Sequence, residues 1–373
     1  MSNSHIRIVK RTSSTRRKAL LYVAAILIAL LIGAVLLLCL HVNPLAYYGK
    51  MVTMGMPGNQ IAYKNFENYL KVFVPLLVTS LALALAFKMR FWNIGGEGQF
   101  IVGSIAAATV AFQLGGALPN TVALLLMAAA AMAAAGLYGL IAAALKVRFG
   151  TNETLMTLML NYIALYVLIY LGETKADWNF YLNPESVRPI FGSFASLVKM
   201  PVIKIGRLSL SLAVIVACLL CVYLFIYMKY TKHGYELSVV GDSEGTARYA
   251  GMKVSRIVLR TVFWSAALVG LAGMLKTTTA GILSTSITDN VGWTGVIVAW
   301  LSKLSMPVIF VVSALISILQ YGSSVASSTY AAVDVNFANM LQGMILFCVL
   351  TADFCSRFRI VIERNRPDRK DGE

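Results

Sequence analysis

Apolar residues run in long, nearly uninterrupted blocks along this chain, at 19–40, 70–87, 121–145, 155–171, 208–228, 257–275, 307–319 and 340–350. Most approach the ~20 residues a helix needs to cross a hydrocarbon layer ~30 Å thick. The pattern predicts an all-α fold, a polytopic membrane protein of about ten transmembrane helices. The densest polar insertion lies at 91–99, Phe-Trp-Asn-Ile-Gly-Gly-Glu-Gly-Gln, with Lys88 and Arg90 just ahead of it. Asn, Glu and Gln beside apolar spans are costly to desolvate unless they line a water path or pair with one another. This clasp is therefore a candidate functional site; the alternative is an ordinary loop at the membrane surface.

Composition agrees with the blocks. Charged residues make up 13% of the chain, about half the share of a soluble domain. The net charge of +16 could suggest nucleic acid, but its distribution marks orientation instead. Lys and Arg collect in alternate connections: the amino terminus, Lys88 and Arg90, Lys146 and Arg148, the stretch from Lys229 to Arg260, Lys303, and 357–370. The connections at 114–120, 279–290 and 321–337 hold none. By the positive-inside rule both termini are cytoplasmic. The basic segment 172–207 is the exception, and long loops translocate largely regardless of charge.

These limits give an organisation. Residues 1–18 form a basic cytoplasmic terminus, 19–355 the transmembrane domain, and 356–373 a cytoplasmic tail. Within the domain, 172–207 is an external loop and 229–256 a cytoplasmic one. The first block follows a basic segment but is too long for a signal-peptide core and lacks a small-residue cleavage site, so it reads as a retained span. Cys39, Cys218, Cys221, Cys348 and Cys355 lie within or beside apolar blocks, where cysteine behaves as a small hydrophobe. With three histidines in all, neither a metal constellation nor a nucleophile–base pair is visible. The expected metal, cofactor and catalytic residues are none.

Asn93-Ile-Gly-Gly-Glu-Gly98 is echoed by Asn290-Val-Gly-Trp-Thr-Gly295, and each is followed by a short apolar segment, 100–114 and 296–301. Downstream, Asn152 opens one span and Asn336 the last. The second set lies five helices after the first, so the copies enter the membrane in opposite directions. An inverted repeat, with halves at about 70–171 and 257–354, is the inference, and such repeats place a transport path at their interface. Chance matching of glycine-rich segments is the alternative. The short segments suit broken or re-entrant helices better than full spans.

Glu153, Thr157 and Asn161 share one helical face, as do Asn336, Asn339 and Gly343, with Gln342 beside them. These stripes serve either interhelical hydrogen bonding or the lining of a conduit. Trp92, Trp293 and Trp300 fit an interfacial belt as well as substrate contacts. The Ala128–Ala135 run with Gly136 and Gly139 reads as close helix packing.

The segment 91–99 resembles the signature of the integral-membrane permeases of ATP-binding-cassette importers for simple sugars, branched-chain amino acids and nucleosides. Leu145-Lys-Val-Arg-Phe-Gly-Thr-Asn-Glu-Thr-Leu-Met-Thr-Leu-Met-Leu-Asn-Tyr-Ile163 is similar to a segment of the nucleoside branch. Gly241-Asp-Ser-Glu-Gly-Thr-Ala-Arg-Tyr-Ala-Gly251 resembles the cytoplasmic coupling loop, and 268–273 and 292–299 complete the pattern. The chain departs from that family at Ser243, Thr246, Lys276 and Asn290, where Asn, Ala, Glu and Gly are usual.

The resemblance implies a nucleoside importer's permease in the cytoplasmic membrane of a bacterium, without an ATPase site of its own. No phosphate-cradling G-x-x-x-x-G-K-[ST] loop occurs. Its implied partners are separate ATPase subunits, a second permease subunit, an extracytoplasmic substrate-binding protein or lipoprotein, and membrane lipid, with no nucleic acid. Trp178, Phe180 and Tyr181 in the external loop would form part of the binding protein's landing surface. The expected substrate path includes Asn93, Glu97, Gln99, Asn152, Glu153, Asn161, Trp293 and Asn339. The expected ATPase contact is Gly241, Ala247, Arg248, Tyr249, Ala250 and Gly251, with a short helix over 245–250. The rival readings are a simple-sugar permease and, from another class, an ion-coupled secondary transporter. A membrane enzyme is more distant, as no acid–base cluster is visible.

Overall fold

The computed structural model describes residues 4–10, 15–330, 332–334 and 336–364. Eight of its described helices are long and apolar enough to cross a membrane, making this an all-α polytopic membrane protein. The chain divides into two units, 55–321 and 1–54 with 322–373.

The larger unit begins with α3 (Ala62–Lys88), α4 (Gly96–Leu114), α5 (Asn120–Phe149) and α6 (Glu153–Glu173). A short hairpin follows, β2 (Val202–Ile205) paired antiparallel with β3 (Leu208–Ser211). Then come α7 (Leu212–Tyr230), α8 (Lys232–Asp242), α9 (Glu244–Tyr249), α10 (Val254–Ala280) and α11 (Val291–Leu301). The start of α12 (Met306–Thr329) closes the unit.

Burial separates interior from rim. Within their most apolar windows α3 is 83% buried and α10 72%, against 28% for α5 and α6 and 17% for α7. The exposed face of α7, with Leu219, Val222 and Tyr223, is apolar, as a lipid-facing surface must be. The central helices approach closely because small residues meet. Gly103 of α4 faces Gly270 of α10, and a side chain at Gly270 would collide with Ala131 and Ala135 of α5. The small-residue run and the 268–273 motif thus form one packing seam, where contact area replaces a hydrophobic driving force that lipid does not supply.

One helix departs from the expected length. The polar clasp is partly helical: α4 starts at Gly96 and includes Glu97 and Gln99. It therefore reaches ~28 Å at 1.5 Å per residue, longer than the 100–114 segment suggested. By contrast α11 has 11 residues, ~16 Å or about half a bilayer. It is bracketed by left-handed residues, Asp289 and Asn290 before it and Lys303 and Leu304 after it. The segment expected to be a bare loop with one short helix holds two, α8 and α9, and the second runs Glu244–Tyr249 rather than 245–250.

In the smaller unit α1 (Thr15–Cys39) packs on α13 (Phe337–Arg357). Between them in sequence, Asn43 caps α2 (Pro44–Val52), accepting from the Leu45 and Ala46 amides. Tyr47 is buried edge-on to Phe337, its hydroxyl 2.6 Å from Ser323 Oγ. The two ends of the chain pair as antiparallel strands, β1 (Ser4–Lys10) with β4 (Phe358–Arg364).

Candidate functional site

The clasp is a closed hydrogen-bonded network. Asn93 is fully buried, and Gln99 and Asn161 nearly so. Asn93 and Gln99 exchange amide bonds, Gln99 Nε2 donating to Asn93 Oδ1 at 2.9 Å and Asn93 Nδ2 to Gln99 Oε1 at 3.2 Å. Asn93 Oδ1 also accepts from the Gly95 amide. From α6, Asn161 accepts from the Gly98 amide at 2.8 Å and donates to the Ile94 carbonyl at 2.9 Å. Thr157, one turn earlier, accepts from the Ile94 amide. Thr157 and Asn161 of α6 therefore satisfy the non-helical backbone at Ile94 and an amide in the first turn of α4. Such backbone persists at membrane depth only where protein groups replace water. Asn161 lies two turns into α6, ~12 Å along its axis.

The glycine-containing segments 93–98 and 290–295 meet here. Gly96 opens α4 facing Gly292 near the start of α11, so that a side chain at Gly96 would stand 3.6 Å from the Gly292 Cα. Each helix N-terminus carries about half a positive charge on unpaired amides. Glu97, in the first turn of α4, answers both: its Oε2 accepts from the Gly292 amide at 2.8 Å. Gly292 is required because a side chain there would run into Glu97.

Lys276, noted above as a departure from the family pattern, is on α10 near this junction, its Nζ 3.8 Å from Asp289 Oδ2. It also lines a cavity of about 380 Å³ between α3, the segment 195–202, the start of α7 and the end of α10. Glu67 and Lys71 of α3 and Thr278 and Thr279 of α10 share this lining.

Other expected residues take different positions. Asn152 caps α6, accepting from the Thr154 and Leu155 amides. Glu153 is paired with Lys146 at 2.6 Å, and that ammonium lies over the Phe91 ring. Trp293 is partly exposed on α11. Trp92 and Trp300 stack on one another, centroids 4.9 Å apart. Asn339 is exposed on α13 in the smaller unit. Asn336 precedes that helix, and Gln342 is buried within it. Among the described residues no group of His, Cys, Asp and Glu could hold a metal ion.

The residues expected to meet an ATPase divide into anchors and exposed groups. Ala247 is fully buried in a cluster with Met89, Phe91, Leu237, Val254 and Val258. Gly241 packs on the Lys88 carbonyl so closely that no side chain fits. Facing out, Tyr249 is 96% exposed, and Arg248 pairs loosely with Glu244 at 3.7 Å. Ser243 caps α9 through the Thr246 amide, a task Ser performs as well as Asn. Gly251, with φ +75°, follows Ala250 and ends the turn. The exposed helix is thus fixed to the segment that leads into the clasp.

Sequence reasoning missed one feature. Met159, Tyr162, Ile163, Tyr166 and Tyr170 form an exposed face of α6, and the four-residue tyrosine spacing was the available signal.

The comparisons with known proteins fit this geometry. The chain is similar to the glucose ABC transporter permease protein of Haloferax volcanii, 26% identical over 351 residues that cover 92% of this chain and 90% of that one. It is 34% identical to the guanosine ABC transporter permease protein of Bacillus subtilis over 208 residues, 56% of this chain and 58% of that one. With the nucleoside ABC transporter permease protein of Lactococcus lactis it shares 25% identity over 311 residues, covering 82% and 84%. The family model for the permease component of branched-chain amino acid transport systems matches residues 65–350. A multi-pass helical protein with that match over most of its length belongs to this family of ABC-transporter permeases.

Proposed function

We propose that this chain is the permease subunit of a nucleoside importer of the ATP-binding-cassette class, set in a bacterial cytoplasmic membrane with both termini inside. The observation that carries the cargo reading is the 34% identity to a guanosine permease, joined by similarity to a second nucleoside permease and by the segment 145–163. Pairing of β1 with β4 favours termini on a common side, and the basic connections assign that side to the cytoplasm.

In this reading α9 docks on a separate ATPase through Arg248 and Tyr249. Gly241 and Ala247 pass the ATPase's movement to the start of the clasp, which hinges as a unit because its polar groups are satisfied internally. A second permease subunit faces α6, and substrate passes between them. The exposed Tyr162, Tyr166 and Tyr170 offer flat faces on which a nucleobase stacks, while Asn93, Glu97, Gln99 and Asn161 hold the wall behind them. Asn152 and Glu153 fix the end of α6 toward Lys146, and Trp293 and Asn339 remain candidate contacts elsewhere on the path. The external loop 172–207 receives the substrate-binding protein, with Trp178 and Phe180 exposed. The repeat halves at about 70–171 and 257–354 supply the two broken helices that meet at Glu97.

The glucose permease, similar over 92% of this chain, favours a sugar as the second reading. Deleting the chain from its host should abolish uptake of labelled guanosine and leave glucose uptake intact. Loss of glucose uptake alone would establish the second reading instead.

A further inference from the structure

A groove of about 440 Å³ opens on the lipid-facing side between α7 and α10, with Leu85 of α3 and Met132 of α5 at its base. Leu220, Leu224, Leu268 and Leu271 supply apolar walls. At its rim Tyr223 and Trp264 are 60% and 48% exposed. The groove ends toward α8 at Arg260 and His233. There Arg260 donates one bond to Glu236 at 2.8 Å, and His233 stands 3.3 Å from the same carboxylate. The Arg260 Nε is buried and has no acceptor among the described residues. The bond to Glu236 uses one guanidinium nitrogen, and the side chain stays 34% exposed. Lys229 and Lys232, in the last turn of α7 and the first of α8, add positive charge at that end.

We propose that this groove is a binding site for an anionic phospholipid, its acyl chain along the leucines and its headgroup phosphate at Arg260. An apolar trough fits a hydrocarbon chain without leaving polar groups unpaired. A guanidinium left 34% exposed at the groove end, beside surplus lysines, suits a phosphate, for which arginine's fork is well shaped. Basic residues at the membrane surface favour anionic over zwitterionic lipid. The tyrosine and tryptophan at the rim lie where interfacial aromatics anchor the headgroup level. The site is separate from the α6 face and does not depend on which solute is carried.

The test uses the full-length chain in lipid nanodiscs, with phosphatidylglycerol or phosphatidylcholine carrying a photoactivatable group in the acyl chain. Cross-links are mapped to peptides containing Leu220, Leu224, Leu268 or Leu271. At equal mole fraction, phosphatidylglycerol should label these peptides roughly fivefold more than phosphatidylcholine. Arg260→Gln should bring the ratio close to parity. Glu236→Gln, which removes the competing negative charge beside Arg260, should raise it. Equal labelling by the two lipids in the unmodified chain overturns the proposal, and so does a ratio that falls in Glu236→Gln. The unmodified chain and the second variant keep the test decisive if Arg260→Gln fails to insert.

Discussion

The carboxylate of Glu97 accepts a 2.8 Å hydrogen bond from the Gly292 amide, 195 residues further along the chain. One side chain thereby joins the starts of α4 and α11 in the buried interior. The partial positive charge of the two helix N-termini favours an acceptor at this point. Glu97→Ala leaves the buried Gly292 amide without its acceptor. Leaving a buried amide unsatisfied costs about 1–3 kcal/mol, so this variant should yield less folded protein in the membrane. Glu97→Gln keeps an acceptor for Gly292 and should fold better. Fluorescence-detected size exclusion of the two variants checks the order; equal recovery of Glu97→Ala and the unmodified protein contradicts it.

Asn161 separates wall from contact. Its side chain satisfies the Gly98 amide and the Ile94 carbonyl, and unpaired buried groups cost about 1–3 kcal/mol each. Asn161→Ala should therefore lower the melting temperature with little change in KM for whatever uptake survives. A raised KM at unchanged stability would make Asn161 a substrate contact instead.

The coupling helix predicts a split between folding and work. Tyr249 is exposed and makes no contribution to the core, so Tyr249→Asp should leave thermal stability unaltered while uncoupling ATP hydrolysis from uptake. Gly241→Ala must push against the Lys88 carbonyl and should lower stability and coupling together. Transport at the unmodified rate in Tyr249→Asp removes the docking role from this helix.

Glu236 gives a pH dependence of defined sign. Its hydrogen bond from Arg260 holds the carboxyl below the ordinary value of 4.5, against an opposing effect of burial. The folded state therefore binds the proton less readily than the unfolded chain. The stability this supplies is complete above pH 4.5 and is lost as pH falls through the lower, folded value. Melting temperature measured down through this range should fall less steeply in Glu236→Gln. Identical acid slopes would show that the Arg260 pair contributes nothing to folding.

Long apolar blocks made most of the fold legible, because lipid leaves helices few alternatives. The polar clasp was legible as a place where desolvation demanded partners, but the partners themselves were not. Nothing near Glu97 in sequence points to Gly292, and nothing near Asn161 points to Gly98. Asn152 read as part of a polar stripe and is a helix cap, a local task that Asn favours. The α2 helix escaped notice although Asn43 followed by Pro44 is a start signal. Lys276 stood out in sequence, whereas its place beside Asp289 and the cavity wall required the fold. The half-length of α11 was foreshadowed by its short apolar run; the helical start of α4 at Gly96 was not, since consecutive glycines disfavour helix.

The most direct test of the transport reading is guanosine uptake into proteoliposomes holding this chain with its ATPase, companion permease and binding protein. The account predicts accumulation that requires ATP, survives collapse of ion gradients, and is suppressed by unlabelled nucleosides but not by glucose. Uptake that continues without ATP and stops when an ion gradient is collapsed would contradict it.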